Sequence, residues 1–490
     1  MVLRGFDHQG QVFVDANRVL RGIFPGQGAA CRRVLEVVQE SDLFELGIVQ
    51  TQIVENVKLP GGPYELVLEH EKVPFVSYPH EWSSSMLKDA ALFHVDLFLE
   101  LARHGLTIKD MHPHNIVFDG ARPVFVDFPS IIPLDELTSV AYLNPGAAPK
   151  GHGRRGWDKQ AVFVNEMYRR MFEPYFLLPM EMMVRGDYER ARARMLETAM
   201  NASHEHISRR EVLGKYSLAR VMYETERLAR NRLLSEADPG KPAYFRALRD
   251  YVAALDVAPT DSGYASYYEE KDEAFSFRPS AAWNQKQQTV LDILRKVEPA
   301  TVLDVAGNTG WFAALAAKDG ARVVAFDIDE ACADVLYRKA RDEEEAIVSL
   351  VMDVMKPTPD IAAIEYEDEP ERYGDDQPLL LNAARRLKCE LVMALAVVHH
   401  LVLGQNHTFS QVVDTLDAFT EKHLAVEFVE KLDELIVAER DFFPAYDVRP
   451  DGFDWYTEAN FVDELEKRFA SVDVLPSHPG SRTILLCSRD

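Results

Sequence analysis

Residues 301–317, TVLDVAGNTGWFAALAA, decide the fold. A β-branched apolar run carries an acid, Asp304, passes through a loop of small residues and enters a helix that starts near Trp311. Such a loop lets backbone approach a ligand closely, while a helix N-terminus favours an anionic group such as a carboxylate. Loops of small residues often only turn tightly, so the flanking pattern has to carry the reading.

That pattern is regular. RVVAFDID, IVSLVMDV, ELVMALAV and HLAVEFVE are apolar, β-branched-rich runs separated by helix-length spacers. This is how a parallel sheet covered on both faces reads. SVDVLPSHPGSRTILLCSRD adds two strands across a Pro-Gly turn, predicting an antiparallel end to the sheet. Ligands of such sheets sit beyond the carboxyl ends of the strands, where strand order reverses. The second strand ends in Asp327, where an acid can accept hydrogen bonds from both ribose hydroxyls. The third ends in Asp353, placed to receive an exocyclic adenine amino group.

On these residues, 283–490 resemble a class I S-adenosylmethionine-dependent methyltransferase. The family usually reads Gly-x-Gly-x-Gly after the strand acid; here the three positions are Ala306, Asn308 and Gly310, with Gly307 between them. The Asn-Thr-Gly ending resembles a subgroup that includes nodulation-type host-specificity methyltransferases, and SRTILLCSR resembles the family's last strand. The resemblance implies S-adenosylmethionine as cofactor, held by Asp304, Ala306, Gly307, Asn308, Gly310, Asp327 and Asp353. A nicotinamide enzyme uses the same sheet, but it prefers glycine where Ala306 and Asn308 stand, to admit a pyrophosphate.

Methyl transfer needs in-line approach by a nucleophile, plus a base where the acceptor must lose a proton. The fourth strand runs into His399 and His400, which titrate in the useful range; the other reading is that they pack or hold the next loop. Glu427 lies in the buried fifth strand, with Glu430 and Asp433 beyond, and a buried carboxylate needs a partner. It either holds a substrate hydroxyl or amine or caps a helix. Tyr264, Tyr267 and Tyr268 offer a lid, or simple packing in a connector. The chain carries no Asn/Asp-Pro-Pro-Tyr/Phe motif of nucleobase methylases.

The N-terminal half carries a different pattern. Residues 11–23 alternate as a hairpin does, ACRRVLEVVQESDLFEL reads as a helix, and two more strands flank a Pro-Gly-Gly turn. SMLKDAALFHVDLFLELARHG is a long amphipathic helix with a serine start and a glycine stop. It leads into IKDMHPHNIVFDGARPVFVDF, residues 108–128. There Asp110, Asn115 and Asp127 resemble the proton-accepting acid, metal-binding Asn and metal-binding acid of protein kinases and small-molecule phosphotransferases, with a hairpin between. That implies Mg-ATP, with Asn115 and Asp127 on the metal. The departures lie on the nucleotide side: no Gly-x-Gly-x-x-Gly loop, Arg21 where a phosphate-gripping lysine falls, Ile108 in place of histidine, and Phe-Pro after Asp127. An active phosphotransferase and a remnant that binds or positions a ligand both remain open.

The expected architecture is therefore an α/β and α+β multidomain chain. Residues 1–256 form a kinase-like two-lobed domain (strand-rich 1–80, helical 81–256), 257–282 a linker or lid, and 283–490 a Rossmann-like seven-stranded methyltransferase sheet with an antiparallel last strand. At 490 residues the chain exceeds one core. A formal charge of −25 argues against nucleic acid or an anionic membrane as partner. Four scattered cysteines fit a reducing cytoplasm, and the N-terminus has no apolar export segment. The expected substrate is a small-molecule or glycan-type metabolite, methylated on a hydroxyl or, less favourably, an amine. The alternatives are a bifunctional kinase-methyltransferase acting twice on one acceptor, and a recognition or scaffold protein. Oligomeric state is not legible.

Overall fold

A computed structural model of the chain describes residues 2–3, 9–15, 18–134, 136, 168–200, 242–260, 262–266, 282–362, 378–438 and 442–489. The readings placed on Tyr267 and Tyr268, and much of the helical lobe 81–256 and of the connector 257–282, fall outside these residues.

The C-terminal half is built on a seven-stranded sheet. Its order is Ile347–Val351, Arg322–Asp327, Thr301–Val305, Cys389–Ala394, Thr420–Val429, Arg482–Ser488, Ser471–Pro476. The first five run parallel; Arg482–Ser488 pairs antiparallel with both of its neighbours. In chain order this is 3-2-1-4-5-7-6, so the order reverses between Thr301–Val305 and Cys389–Ala394, and a crevice opens there. The central parallel strands are buried on both faces, as their unbroken apolar runs require, while the edge strand Ser471–Pro476 is largely exposed. Helices Gln285–Val297, Trp311–Lys318, Glu330–Asp342 and Phe409–Phe419 lie among the crossovers.

The N-terminal half starts with a five-stranded antiparallel sheet in chain order 1-2-3-5-4, Val2–Leu3, Gly10–Val14, Val19–Ile23, Leu66–His70, Thr51–Ile53, with helix Gly28–Glu40 inserted before the fourth strand in sequence. Helix Ser84–Arg103 follows, capped by the Ser83 hydroxyl, and then the hairpin Ile116–Asp119/Arg122–Phe125. Gly120 turns this hairpin at φ 61°, and a Cβ there would lie 3.0 Å from the Glu345 carbonyl oxygen, so the two halves approach to backbone distance.

The halves share one hydrophobic core. Trp82, fully buried, packs edge-on against Phe118 at 5.1 Å and forms a β-bridge to Leu350, which covers the outer edge of the large sheet. Helix Glu330–Asp342 supplies acids to the start of helix Ser84–Arg103. Asp334 Oδ1 accepts from Ser83 Oγ at 3.0 Å and from the Ser85 amide at 2.9 Å, and Glu330 Oε1 accepts from the Ser84 amide at 2.9 Å. Those amides have no partner inside their own helix. Glu81 and Arg386, each 1% exposed in its side chain, pair at 2.5 Å, with Thr358 Oγ1 donating to Glu81 at 2.6 Å. Burial opposes Glu81 ionisation, but the Arg386 charge outweighs it and holds the carboxyl below its usual range.

Candidate active site

The loop after Thr301–Val305 keeps the shape that the usual three glycines would give it. Ala306, Asn308 and Gly310 stand at φ 53°, 52° and 82°, all in the left-handed region. Asparagine tolerates that region better than most residues; alanine there stores strain of order 1–3 kcal/mol, as functional loops often do. At Gly310 a Cβ would meet Leu336 Cδ1 at 2.3 Å, and at Gly307 it would meet Asp304 Oδ2 at 2.8 Å. A side chain at either position would have to push those neighbours aside, and at 310 the left-handed backbone also favours glycine.

Asp327 is engaged on both oxygens: Oδ2 accepts from the Asn308 amide and Oδ1 from the Asp329 amide, each at 2.9 Å. It ties the first loop to the tip of the second strand, and burial raises its pKa. Asp353 lies two residues beyond Val351 and accepts from the Met355 amide at 2.9 Å, capping its own turn. Asn308 Nδ2 donates to the Tyr264 carbonyl at 2.9 Å, and the Tyr264 ring meets Phe442 edge-on at 6.1 Å. The connector thus crosses the loop through backbone.

Asp304 is 2% exposed and its Oδ2 has no partner. Burial pushes its pKa up to about 7, against the pull of the Lys286 charge. The orphaned oxygen at the mouth of a cradle too tight for any side chain at 307 fits an incoming ammonium, the group that the amino-acid tail of S-adenosylmethionine carries. An acid with a raised folded pKa stabilises the protein at low pH, and this contribution is lost as pH rises through 7. An ammonium beside it restores ionisation, so binding at pH 7 is expected to release about half a proton, more toward pH 6 and none above pH 8. Calorimetry in two buffers of different ionisation enthalpy reads this; proton uptake would show that no cation meets Asp304.

His399 and His400 follow the fourth strand, their rings 4.2 Å apart and both against Phe443. Burial, then the Arg482 charge, lowers the His400 pKa; burial and then His400 push His399 further down. Both imidazoles are neutral at pH 7, and His400 is the more exposed of the two. Glu427 is held by protein groups on both oxygens. It is fully buried, with Oε2 2.7 Å from Lys286 Nζ and Oε1 accepting from Ser477 Oγ at 2.5 Å. Neither oxygen caps a helix, and both are already occupied. Lys286 and Ser477 were not foreseen. The signal for Lys286 was a cation in the first turn of helix Gln285–Val297, which has no acid there, against the helix dipole.

In the N-terminal half Asp110, Asn115 and Asp127 each have an internal partner. Arg21 Nη1 pairs with Asp127 at 2.5 Å, His112 Nε2 with Asp110 at 3.1 Å, and Asn115 Nδ2 donates to the Asp110 carbonyl at 3.1 Å. Lys109 donates to Gln9. Burial opposes the charge on both Asp110 and His112; their mutual attraction prevails, lowering the acid and raising the imidazole.

The strand order 3-2-1-4-5-7-6, with its one antiparallel strand, decides the architecture of the C-terminal half. It has the class I methyltransferase fold. No family model matches the sequence. The chain is 26% identical to nodulation protein NoeA of Rhizobium meliloti (strain 1021), over 98% of this chain and 94% of that one. Among solved structures it is similar to magnesium protoporphyrin IX methyltransferase (ChlM) from Synechocystis PCC 6803 with bound SAH, at 16% identity over 46% of this chain and 98% of that one, TM-score 0.28. It is also similar to the bifunctional kinase-methyltransferase WbdD, at 16% identity over 49% of this chain and 46% of that one, TM-score 0.30. No helix among the described residues is long and apolar enough to cross a membrane.

Proposed function

We propose that the chain transfers a methyl group from S-adenosylmethionine to a hydroxyl of a small-molecule or glycan-type metabolite. The observation that carries this is the preformed cradle: Asp304, the left-handed loop 306–310, and Asp327 joined to it through the Asn308 amide. When bound, the cofactor supplies an electrophilic methyl on a sulfonium. Asp304 receives its ammonium, Asp327 its ribose and Asp353 its adenine. His400, neutral at pH 7, is placed to take the acceptor proton. The relative over nearly the whole length is a nodulation protein by name, which agrees with the subgroup that the Asn-Thr-Gly loop resembles. Isothermal titration with S-adenosylmethionine and its demethylated product tests the reading; heat from neither removes it. Labelled methyl transfer to hydroxyl- and amine-bearing acceptors then separates ether from amine products.

We further read residues 1–256 as a kinase-like half without phosphoryl transfer, joined through 257–282 to the methyltransferase unit at 283–490. The sheet order 1-2-3-5-4 with its inserted helix, and the hairpin Ile116–Asp119/Arg122–Phe125 between Asn115 and Asp127, support the kinase likeness. The pairing of Asp127 with Arg21 sets a guanidinium against the carboxylate that would hold the metal, and this argues against phosphoryl transfer; Asn115 donates its Nδ2 to the Asp110 carbonyl, which leaves its oxygen side open. A bifunctional enzyme would need both groups on magnesium. The intact protein is expected to bind no ATP at millimolar Mg²⁺; a magnesium-dependent isotherm that weakens in Asp127→Asn would establish the bifunctional alternative instead.

A further inference from the structure

Lys286 stands where helix Gln285–Val297 meets the cofactor loop. Its ammonium lies 2.7 Å from Glu427 Oε2 and 5.3 Å from the centroid of the Phe312 ring, in the helix that the loop enters. Its side chain is 13% exposed and that of Glu427 is not exposed at all. Ser477 holds the other oxygen of Glu427, so the carboxylate is fixed from both sides and the ammonium is pinned to one place. A lysine has three donors, and Glu427 takes one. The cation also acts on Asp304 across the loop, although no hydrogen bond joins the two.

A buried Lys–Glu pair is weak evidence for stability, since apolar residues of similar volume often serve as well. Its place at the mouth of a ligand cradle needs another reason. The cradle already holds one unsatisfied carboxylate oxygen, on Asp304. A pinned ammonium beside it completes a pair of opposite charges, complementary to a zwitterion.

We propose that Lys286 receives the carboxylate of the cofactor's amino-acid tail, held in position by Glu427 and Ser477. This rests on the reading of the C-terminal unit as binding S-adenosylmethionine. Lys286 is then a binding residue, and Glu427 a positioning residue that acts through it, in place of the direct substrate contact suggested by its sequence.

The test uses the full-length protein and three probes: S-adenosylmethionine, S-adenosylhomocysteine and 5′-methylthioadenosine, which has the same nucleoside but no amino-acid tail. In Lys286→Met the first two should bind about 10- to 100-fold more weakly, the range of a hydrogen bond to a charged group, while 5′-methylthioadenosine is unchanged. Lys286→Arg should recover most of the loss. Lys286→Met leaves Glu427 buried and unpaired, so the double variant Lys286→Met/Glu427→Met, which removes both charges, should fold and show the same selective loss. Equal weakening of all three probes in the double variant, or of none, would overturn the proposal. A wild-type protein that binds none of the three would instead remove the cofactor reading on which it rests.

Discussion

Arg386→Met is expected to lower the free energy of unfolding by about 3–5 kcal/mol, because it strands the Glu81 carboxylate in a dry interface. Glu81 and Arg386 each sit at 1% side-chain exposure, 305 positions apart in sequence. Arg386 also donates to the Leu381 and Val76 carbonyls and lies 4.0 Å from the centroid of the Tyr78 ring, so its loss frees several groups at once. Urea denaturation followed by tryptophan fluorescence reads the effect through Trp82, which is fully buried next to Glu81. The double variant Glu81→Met/Arg386→Met should regain most of the stability, since no charge is then left unpaired. A single variant as stable as wild type would mean that the halves are not joined through this pair. The pH dependence follows from the lowered Glu81 pKa. Its contribution is present above about pH 4.3, the ordinary glutamate value, and is lost as pH falls through the folded value.

Asp327→Ala is expected to abolish measurable cofactor binding at micromolar concentration, a loss of about 100-fold or more. The carboxylate holds the Asn308 and Asp329 amides besides its proposed ribose contact, and each hydrogen bond to a charged group is worth about 1.5–3 kcal/mol. Its removal loosens the loop and takes away a ligand contact together. The contrast with Lys286 is diagnostic: Asp327→Ala should weaken 5′-methylthioadenosine as much as S-adenosylmethionine, because the ribose is common to both. Unchanged binding of either probe would dissociate Asp327 from the nucleoside. Asp327→Asn, which can still accept from one amide, should fall between.

The large sheet was legible because each strand announces itself locally: a β-branched run, an acid or small residue at its tip, a helix-length spacer. Thr301–Val305 and Arg322–Asp327 follow this rule, and the closing pair Ser471–Pro476/Arg482–Ser488 was legible from the Pro-Gly turn between its strands. The loop was legible in composition but not in conformation. Ala306 and Asn308 read as departures from glycine, yet the backbone keeps the left-handed turn at both. What stayed hidden are charge pairs between distant segments. Lys286 and Glu427 are 141 positions apart, Arg21 and Asp127 are 106 apart. No local pattern carries such a partner, so the sequence offers Glu427 as a substrate ligand or a helix cap, and Asp127 as a metal ligand, without the cation beside either. The interlocking of the halves was equally hidden, since it depends on Ser83–Ser85 meeting Glu330 and Asp334.

That last arrangement bears on synthesis. A ribosome adds roughly 5–20 residues per second, so the start of helix Ser84–Arg103 leaves the exit tunnel some 12–50 seconds before the acids that complete it, 249 positions later. For that interval water must satisfy the Ser84 and Ser85 amides, and Trp82 has no Leu350 to lie against. The nascent first half consequently keeps that apolar and polar surface open until the third strand of the second half has been made, and a stop codon before residue 330 should yield an aggregating fragment.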